Sequence, residues 1–142
     1  MNSIKLFSEK KISFATFIQN MFQAGWDVND HGKIRYLPLG DNGMFNWQTL
    51  PKSNWPDVYD IILSKEENNE LLGINLIYKE FNRGGIFHIS NESIHFFPTI
   101  NRKIIFDNYK VTDFSWYINK LFLCIDPQKL RISKIEMEQV FD

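Results

Sequence analysis

Residues that carry reactive chemistry are scarce in this chain of 142 residues, which has one cysteine and three histidines. Cys124 has no partner for an internal disulfide, so packing must stabilise the fold, as is typical in a reducing compartment. No Gly-x-Ser-x-Gly, His-Glu-x-x-His or Cys-x-x-Cys motif occurs, and the segment from Gly40 to Gly43 lacks the Lys-Ser/Thr ending of a phosphate loop. We therefore expect a non-enzyme with no catalytic residues, no metal and no cofactor.

Long apolar runs are also missing. No stretch approaches the roughly 20 apolar residues that a membrane-spanning helix needs. The N-terminal segment, MNSIKLFSEKKISF, has neither an uninterrupted apolar core nor a small-residue cleavage site, so it does not resemble a signal peptide. We expect a cytoplasmic protein with no membrane partner, and the length fits a single domain over residues 1–142.

Aromatic residues and an uneven charge distribution are what the chain does have. It contains 13 phenylalanines, five tyrosines and four tryptophans, enough for a core and for a contact surface. The net charge is −1, and the basic residues are dispersed. Proteins that bind nucleic-acid phosphates usually carry a contiguous basic surface. The dispersed basic residues of this chain therefore disfavour direct binding to nucleic acid.

Hydrophobic periodicity predicts an α+β fold in which about three helices pack against a mostly antiparallel sheet. Ser8 or Ser13 would cap the first helix, Asn54 the second and Thr112-Asp113 the third. Phe122 is expected to point inward on the third helix. The predicted helices end at Gly25, Asn68 and Cys124, and the predicted strands cover residues 33–39, 44–49, 71–80, 85–89, 93–97, 103–106 and 130–140.

The two strands at residues 85–89 and 93–97 give the clearest register. If Asn91 and Glu92 form the turn, then Phe87 and Phe96 share one face of the sheet. His88 and His95 would then lie directly opposite each other on the other face. The tripeptide Arg83-Gly84-Gly85 before them predicts a turn with positive φ, because a single copy does not make an RNA-binding tail.

The second helix carries a concentration of acidic residues. From Asn54 to Glu70 there are five acids and one lysine, a net charge of −4. Such a patch can steer a basic partner, although an ordinary solvated helix face would show the same spacing. Trp116 lies off the apolar stripe of the third helix and is a candidate aromatic anchor. The candidate partner-binding residues are Asp57, Asp60, Glu66, Glu67, Glu70 and Trp116.

This layout resembles that of bacterial immunity proteins from polymorphic toxin systems, including contact-dependent growth inhibition. The likeness is one of general character, and the segment that carries it runs FNWQTLPKSNWPDVYDIILSKEENNELLGINLIYKEFNRGGIF. The resemblance implies that the chain binds a cognate toxin domain, a basic nuclease domain, and blocks its active site or the access of its substrate. Acidic side chains would then take the place of nucleic-acid phosphates.

Two other functions stay open. His88 and His95 could serve as base and acid in a small nuclease or hydrolase, although the simpler interpretation is a half-exposed structural pair. The chain could also be an accessory subunit of another bacterial complex, because that role too needs only a complementary surface.

Overall fold

Three helices pack against one face of an antiparallel sheet in the computed structural model, which describes residues 2–141. The helices are α1 (Phe14–Gln23), α2 (Trp55–Glu67) and α3 (Phe114–Phe122). The strands are β1 (Ser3–Ser8), β2 (Trp26–Asp27), β3 (Lys33–Tyr36), β4 (Gln48–Pro51), β5 (Leu72–Tyr78), β6 (Arg83–Ile89), β7 (Ser93–Ile100), β8 (Ile104–Phe106), β9 (Val111–Thr112) and β10 (Ile132–Glu138). The predicted α+β class is confirmed.

Eight strands form the main sheet, in the order β10-β1-β7-β6-β5-β3-β4, and β2 pairs with β5 beside this path. Strands β8 and β9 form a separate two-stranded sheet. Every pairing in both sheets is antiparallel. The sheet is therefore built largely from neighbouring hairpins, with the two ends of the described chain brought together as β1 and β10.

The core lies between the three helices and the sheet face that we call the helix face. Phe87 pairs with Phe96 across β6 and β7, and both side chains are fully buried. Their rings lie 4.5 Å apart, and the Tyr117 ring of α3 packs 5.4 Å from Phe96. Because side chains alternate between the two faces of a strand, the residues between these positions point to the opposite face.

Side chains cap the starts of α1 and α3, whereas Asn54, the predicted cap of α2, stands at the N-cap position without a capping hydrogen bond. Ser13 accepts a hydrogen bond from the Thr16 N–H at the start of α1, and Asp113 accepts one from the Trp116 N–H at the start of α3. Gly25, with φ of +102°, follows the end of α1, as predicted from its position. Ser13, and not Ser8, is therefore the first cap, because Ser8 ends strand β1.

Strand β1 was not expected from the sequence, although it lies between β10 and β7 in the sheet. Ile4 and Leu6 are fully buried and alternate with Lys5, which fits a strand with one buried face. The predicted strand at residues 44–49 forms later, as β4. Phe122 was expected to point inward and is 38% exposed, because α3 ends at this residue.

The prediction of a turn at Gly84-Gly85 was wrong. Both glycines lie inside β6, and neither is among the glycines with positive φ. A Cβ at Gly84 would overlap the Leu76 carbonyl oxygen on β5, and one at Gly85 would overlap the Phe97 carbonyl oxygen on β7. Their role is therefore to let neighbouring strands approach closely.

A membrane-spanning helix is not found within residues 2–141, where each helix is too short or too polar to cross a bilayer.

Candidate binding surfaces

Helix α2 presents acidic side chains because its buried residues fix its orientation. Val58 and Ile62 are fully buried in the hydrophobic core. With 3.6 residues per turn, this places Asp57, Asp60 and Glu67 on the outer side, where all three are exposed. We call these three residues the acidic row.

The other two predicted acids have internal roles. The Glu66 carboxylate accepts a hydrogen bond from the N–H of Phe14, the first residue of α1. The Glu70 carboxylate accepts one from the Gly40 N–H at 2.7 Å and lies 3.7 Å from the Lys65 ammonium. Helical spacing predicts which side chains face solvent. It does not predict that Glu66 and Glu70 accept hydrogen bonds from backbone groups far away in the chain.

No ion pair involves the acidic row in the part of the chain that the structure describes. Asp57 accepts a hydrogen bond from the Asn54 side-chain amide at 3.0 Å, which leaves its charge in place. Leu63 lies three residues after Asp60 and four before Glu67 on the same helix and is 42% exposed. The surface here forms a groove of about 630 Å³, lined by Lys11, Asp60, Leu63, Ser64, Glu66 and Glu67.

Trp116 belongs to a different region of the molecule. Its indole packs at 5.8 Å from the Tyr78 ring and 5.9 Å from the Phe81 ring. Two cations lie over it, the Arg83 guanidinium at 4.9 Å and the Lys120 ammonium at 5.7 Å. These contacts connect Trp116 with cationic and aromatic side chains, and none of them is with the five predicted acids.

The predicted histidine pair is present on the sheet face opposite the helices, which we call the histidine face. His88 and His95 are directly paired across β6 and β7. The Phe97 ring lies 5.1 Å from the His88 ring and 4.3 Å from the His95 ring. This confirms the register that the sequence predicted.

Partial burial keeps both imidazoles uncharged near neutral pH. Desolvation lowers the pKa of His88, and the neighbouring His95 lowers it further. Desolvation also lowers the pKa of His95, helped by the Lys5 ammonium and opposed by Glu138 and Glu136. A cluster of three or more metal-binding side chains does not occur among residues 2–141.

Residues 37–47 extend the histidine face with further rings. Phe45 lies 5.3 Å and Trp47 lies 6.1 Å from the His88 ring. The buried Asp41 carboxylate fixes this segment by accepting hydrogen bonds from the N–H groups of Phe45 and Asn46, both at 2.9 Å. No local pattern predicts these ring contacts, because they join residues 45 and 47 to His88, which is far away in the chain.

Lys65 is the other feature that the sequence did not reveal. It is 1% exposed, and its ammonium donates to the Leu71 carbonyl oxygen at 3.0 Å. Desolvation lowers the pKa of Lys65, while Glu70 and Asp41 oppose that shift. Cys124 is buried, and burial raises the pKa of its thiol to about 12, so it stays protonated at neutral pH.

Comparison with protein-family models, with curated proteins and with solved structures finds no match for this chain.

Proposed function

We propose that this chain is an immunity protein, which binds a toxin domain with a basic surface and thereby blocks its active site or the access of its substrate. The observation that carries this proposal is the acidic row. All three acids are exposed, and Asp60 and Glu67 line an open groove together with the exposed Leu63. The proposed location is the cytoplasm, where the thiol of Cys124 would stay reduced.

The charges and the apolar side chain have different roles in this contact. Unpaired carboxylates accelerate the approach of a basic partner and form charge-assisted hydrogen bonds with its lysines and arginines. Leu63 provides apolar area that is removed from water on binding, which strengthens the surrounding ion pairs. A nuclease surface that normally binds phosphates offers complementary cations. The acidic row would bind these cations in place of the phosphates of the nucleic acid.

Three of the five predicted acids are better positions for testing this proposal than the other two. Glu66 and Glu70 already accept hydrogen bonds from the backbone of Phe14 and Gly40, so their replacement would disturb the fold as well as the surface. Among residues 2–141, no backbone N–H of another element donates to Asp57, Asp60 or Glu67. The clean test of the surface therefore uses these three residues.

The experiment measures affinity for the toxin domain encoded by the gene preceding this one. The variant Asp57→Lys, Asp60→Lys, Glu67→Lys is compared with a matched variant at exposed acids elsewhere, Glu80→Lys, Glu92→Lys, Asp107→Lys. We expect the first to weaken binding about 30-fold or more, since each lost pair contributes roughly 0.2–1 kcal/mol and repulsion adds to this loss. Equal losses in both variants would show that only total charge matters, and would refute the acidic row as the contact.

A second candidate function is supported by the direct pairing of His88 with His95. For base and acid catalysis on a phosphodiester, one imidazole must be neutral and the other protonated, and their lowered pKa values allow this only at acidic pH. Incubation of the purified chain with RNA and DNA, beside the variant His88→Ala, His95→Ala, tests this alternative. Cleavage that disappears in the variant would replace the immunity proposal with an enzymatic one.

A further inference from the structure

Strand β10 is an open edge of the main sheet. It pairs with β1 on one side and has no strand on the other among the described residues. Every residue of β10 after Ile132 is exposed. An unpaired edge of this length presents free backbone N–H and C=O groups that can pair with another strand.

The helices also leave the side chains of β10 uncovered. Ile135 is 38% exposed and Met137 is 53% exposed, although both point to the helix face, as their partners Leu6 and Ile4 do. The other edge of the sheet differs, because β4 has four residues and ends at Pro51, which cannot donate a backbone hydrogen bond. Strand β10 contains no proline.

Charges on β10 alternate in a way that is complementary to the same strand running in the opposite direction. Lys134, Glu136 and Glu138 lie on the histidine face, since Glu136 pairs with Lys5 and Lys5 pairs with His95. Within one chain the Lys134 ammonium already lies 2.8 Å from the Glu136 carboxylate. A strand with both signs of charge on one face can therefore form ion pairs with a copy of itself.

We propose that two copies of this chain associate through β10, antiparallel, about a two-fold axis that passes between the two Ile135 residues. A two-fold axis perpendicular to a sheet pairs only residues of the same face, so few registers are possible. With the axis at Lys134 or Glu136, that charged residue faces the same residue of the second copy. With the axis at Met137, Glu136 faces Glu138 of the second copy. Centring at Ile135 sets Lys134 against Glu136 of the second copy, twice.

This register also matches the apolar side chains. Ile135 packs against Ile135 of the second copy, on the helix face next to the axis. The two main sheets become one continuous sheet across the axis. Helix α2, which packs against α1 and β5, lies away from the β10 edge, so each copy keeps its acidic row free. The proposal goes beyond the proposed function and does not depend on it.

Sedimentation equilibrium tests the association over about 1–300 µM, because small interfaces of this kind are weak. We expect the wild-type mass to rise towards twice the 16.9 kDa of one chain. The variants Lys134→Glu and Glu136→Lys should each dissociate roughly tenfold or more readily, since like charges then face each other. Mixed together, they should form a heterodimer, and Lys134→Glu with Glu136→Lys in one chain should restore the homodimer.

The control variant is Glu138→Lys, which in this register faces no charged residue and should leave the association unchanged. Circular dichroism and thermal unfolding check that each variant is folded. A wild-type chain that stays monomeric up to the highest concentration would overturn the proposal. So would a mixture of the two single variants that stays monomeric, because it contradicts the pairing of Lys134 with Glu136.

A disulfide provides an independent test that does not alter charge. Residues directly opposite in antiparallel strands have Cα atoms roughly 4.5–5.5 Å apart, which suits a disulfide. The variant Ile135→Cys should therefore form a covalent dimer on oxidation. The native Cys124 is buried and should not compete for the disulfide. Met137→Cys should not, because its two copies would lie roughly 13 Å apart along the strands. Cross-linking at Met137 but not at Ile135 would refute the register.

Discussion

The two faces of the main sheet have opposite properties although they are made from the same strands. On β7, Phe96 is fully buried on the helix face, while its neighbour Phe97 is only partly buried on the histidine face. On β6, Phe87 and His88 show the same contrast. A shift of one residue thus separates a fully buried core side chain from one that is only half-buried.

The largest difference between the faces should appear in stability. We expect Phe96→Ala to lower the free energy of unfolding by about 3–5 kcal/mol, because it leaves a cavity among Ile4, Phe87 and Tyr117. Phe97→Ala should cost about 1–2 kcal/mol, since a half-buried ring loses less area and its neighbours can move. Urea denaturation with a common m-value measures both. Equal costs would show that the histidine face is part of the core.

A smaller effect should distinguish the faces by pH. The pKa values of His88 and His95 lie below their ordinary value of 6.5 in the folded chain, so between those values the unfolded chain binds more protons. The free energy of unfolding should therefore fall as the pH decreases below about 6.5. Lys5, Glu136 and Glu138 are the charged groups that influence this titration.

The measurement compares thermal unfolding of the wild type with that of His88→Gln, His95→Gln between pH 7.5 and pH 5, a window set by the ordinary histidine pKa. The double variant should show a flatter dependence on pH. The hydrogen bond with Lys103 lowers the pKa of Asp113. The contribution of Asp113 to stability is therefore lost only at more acidic pH, and equally in both proteins. An unchanged slope in the double variant would exclude the two histidines as its source.

The smallest effects concern neighbouring acids on α2. Glu66→Gln weakens the hydrogen bond to the Phe14 N–H at the start of α1, so we expect a loss of about 0.5–1.5 kcal/mol. Glu67→Gln changes an exposed side chain and should stay within about 0.5 kcal/mol of the wild type. Chemical denaturation of the two variants in parallel measures the difference. A larger loss at Glu67 would mean that the acidic row has a structural role.

Local patterns in the sequence were sufficient to predict much of the fold. The alternation around Phe87 and Phe96 predicted the β6–β7 register, including the opposed histidines, because one face is buried and a slip would expose it. The concentration of acids at residues 54–70 predicted a charged segment, but the predicted partner-binding residues did not distinguish its exposed acids from the others. Strand β1 was not predicted, although Ile4 and Leu6 alternate with Lys5. Ser8 was interpreted as a possible cap of the first helix, so the residues before it were not considered as a strand.

The sequence by itself determined the α+β class, the helices and the central hairpin, since periodicity and capping act between residues that are close along the chain. Only the tertiary structure decided that Glu66 and Glu70 hold distant backbone groups, that residues 37–47 add rings to the histidine face, and that β10 closes against β1 and leaves its outer edge open. These features depend on contacts between segments far apart in the chain, and no local pattern specifies which segments will meet.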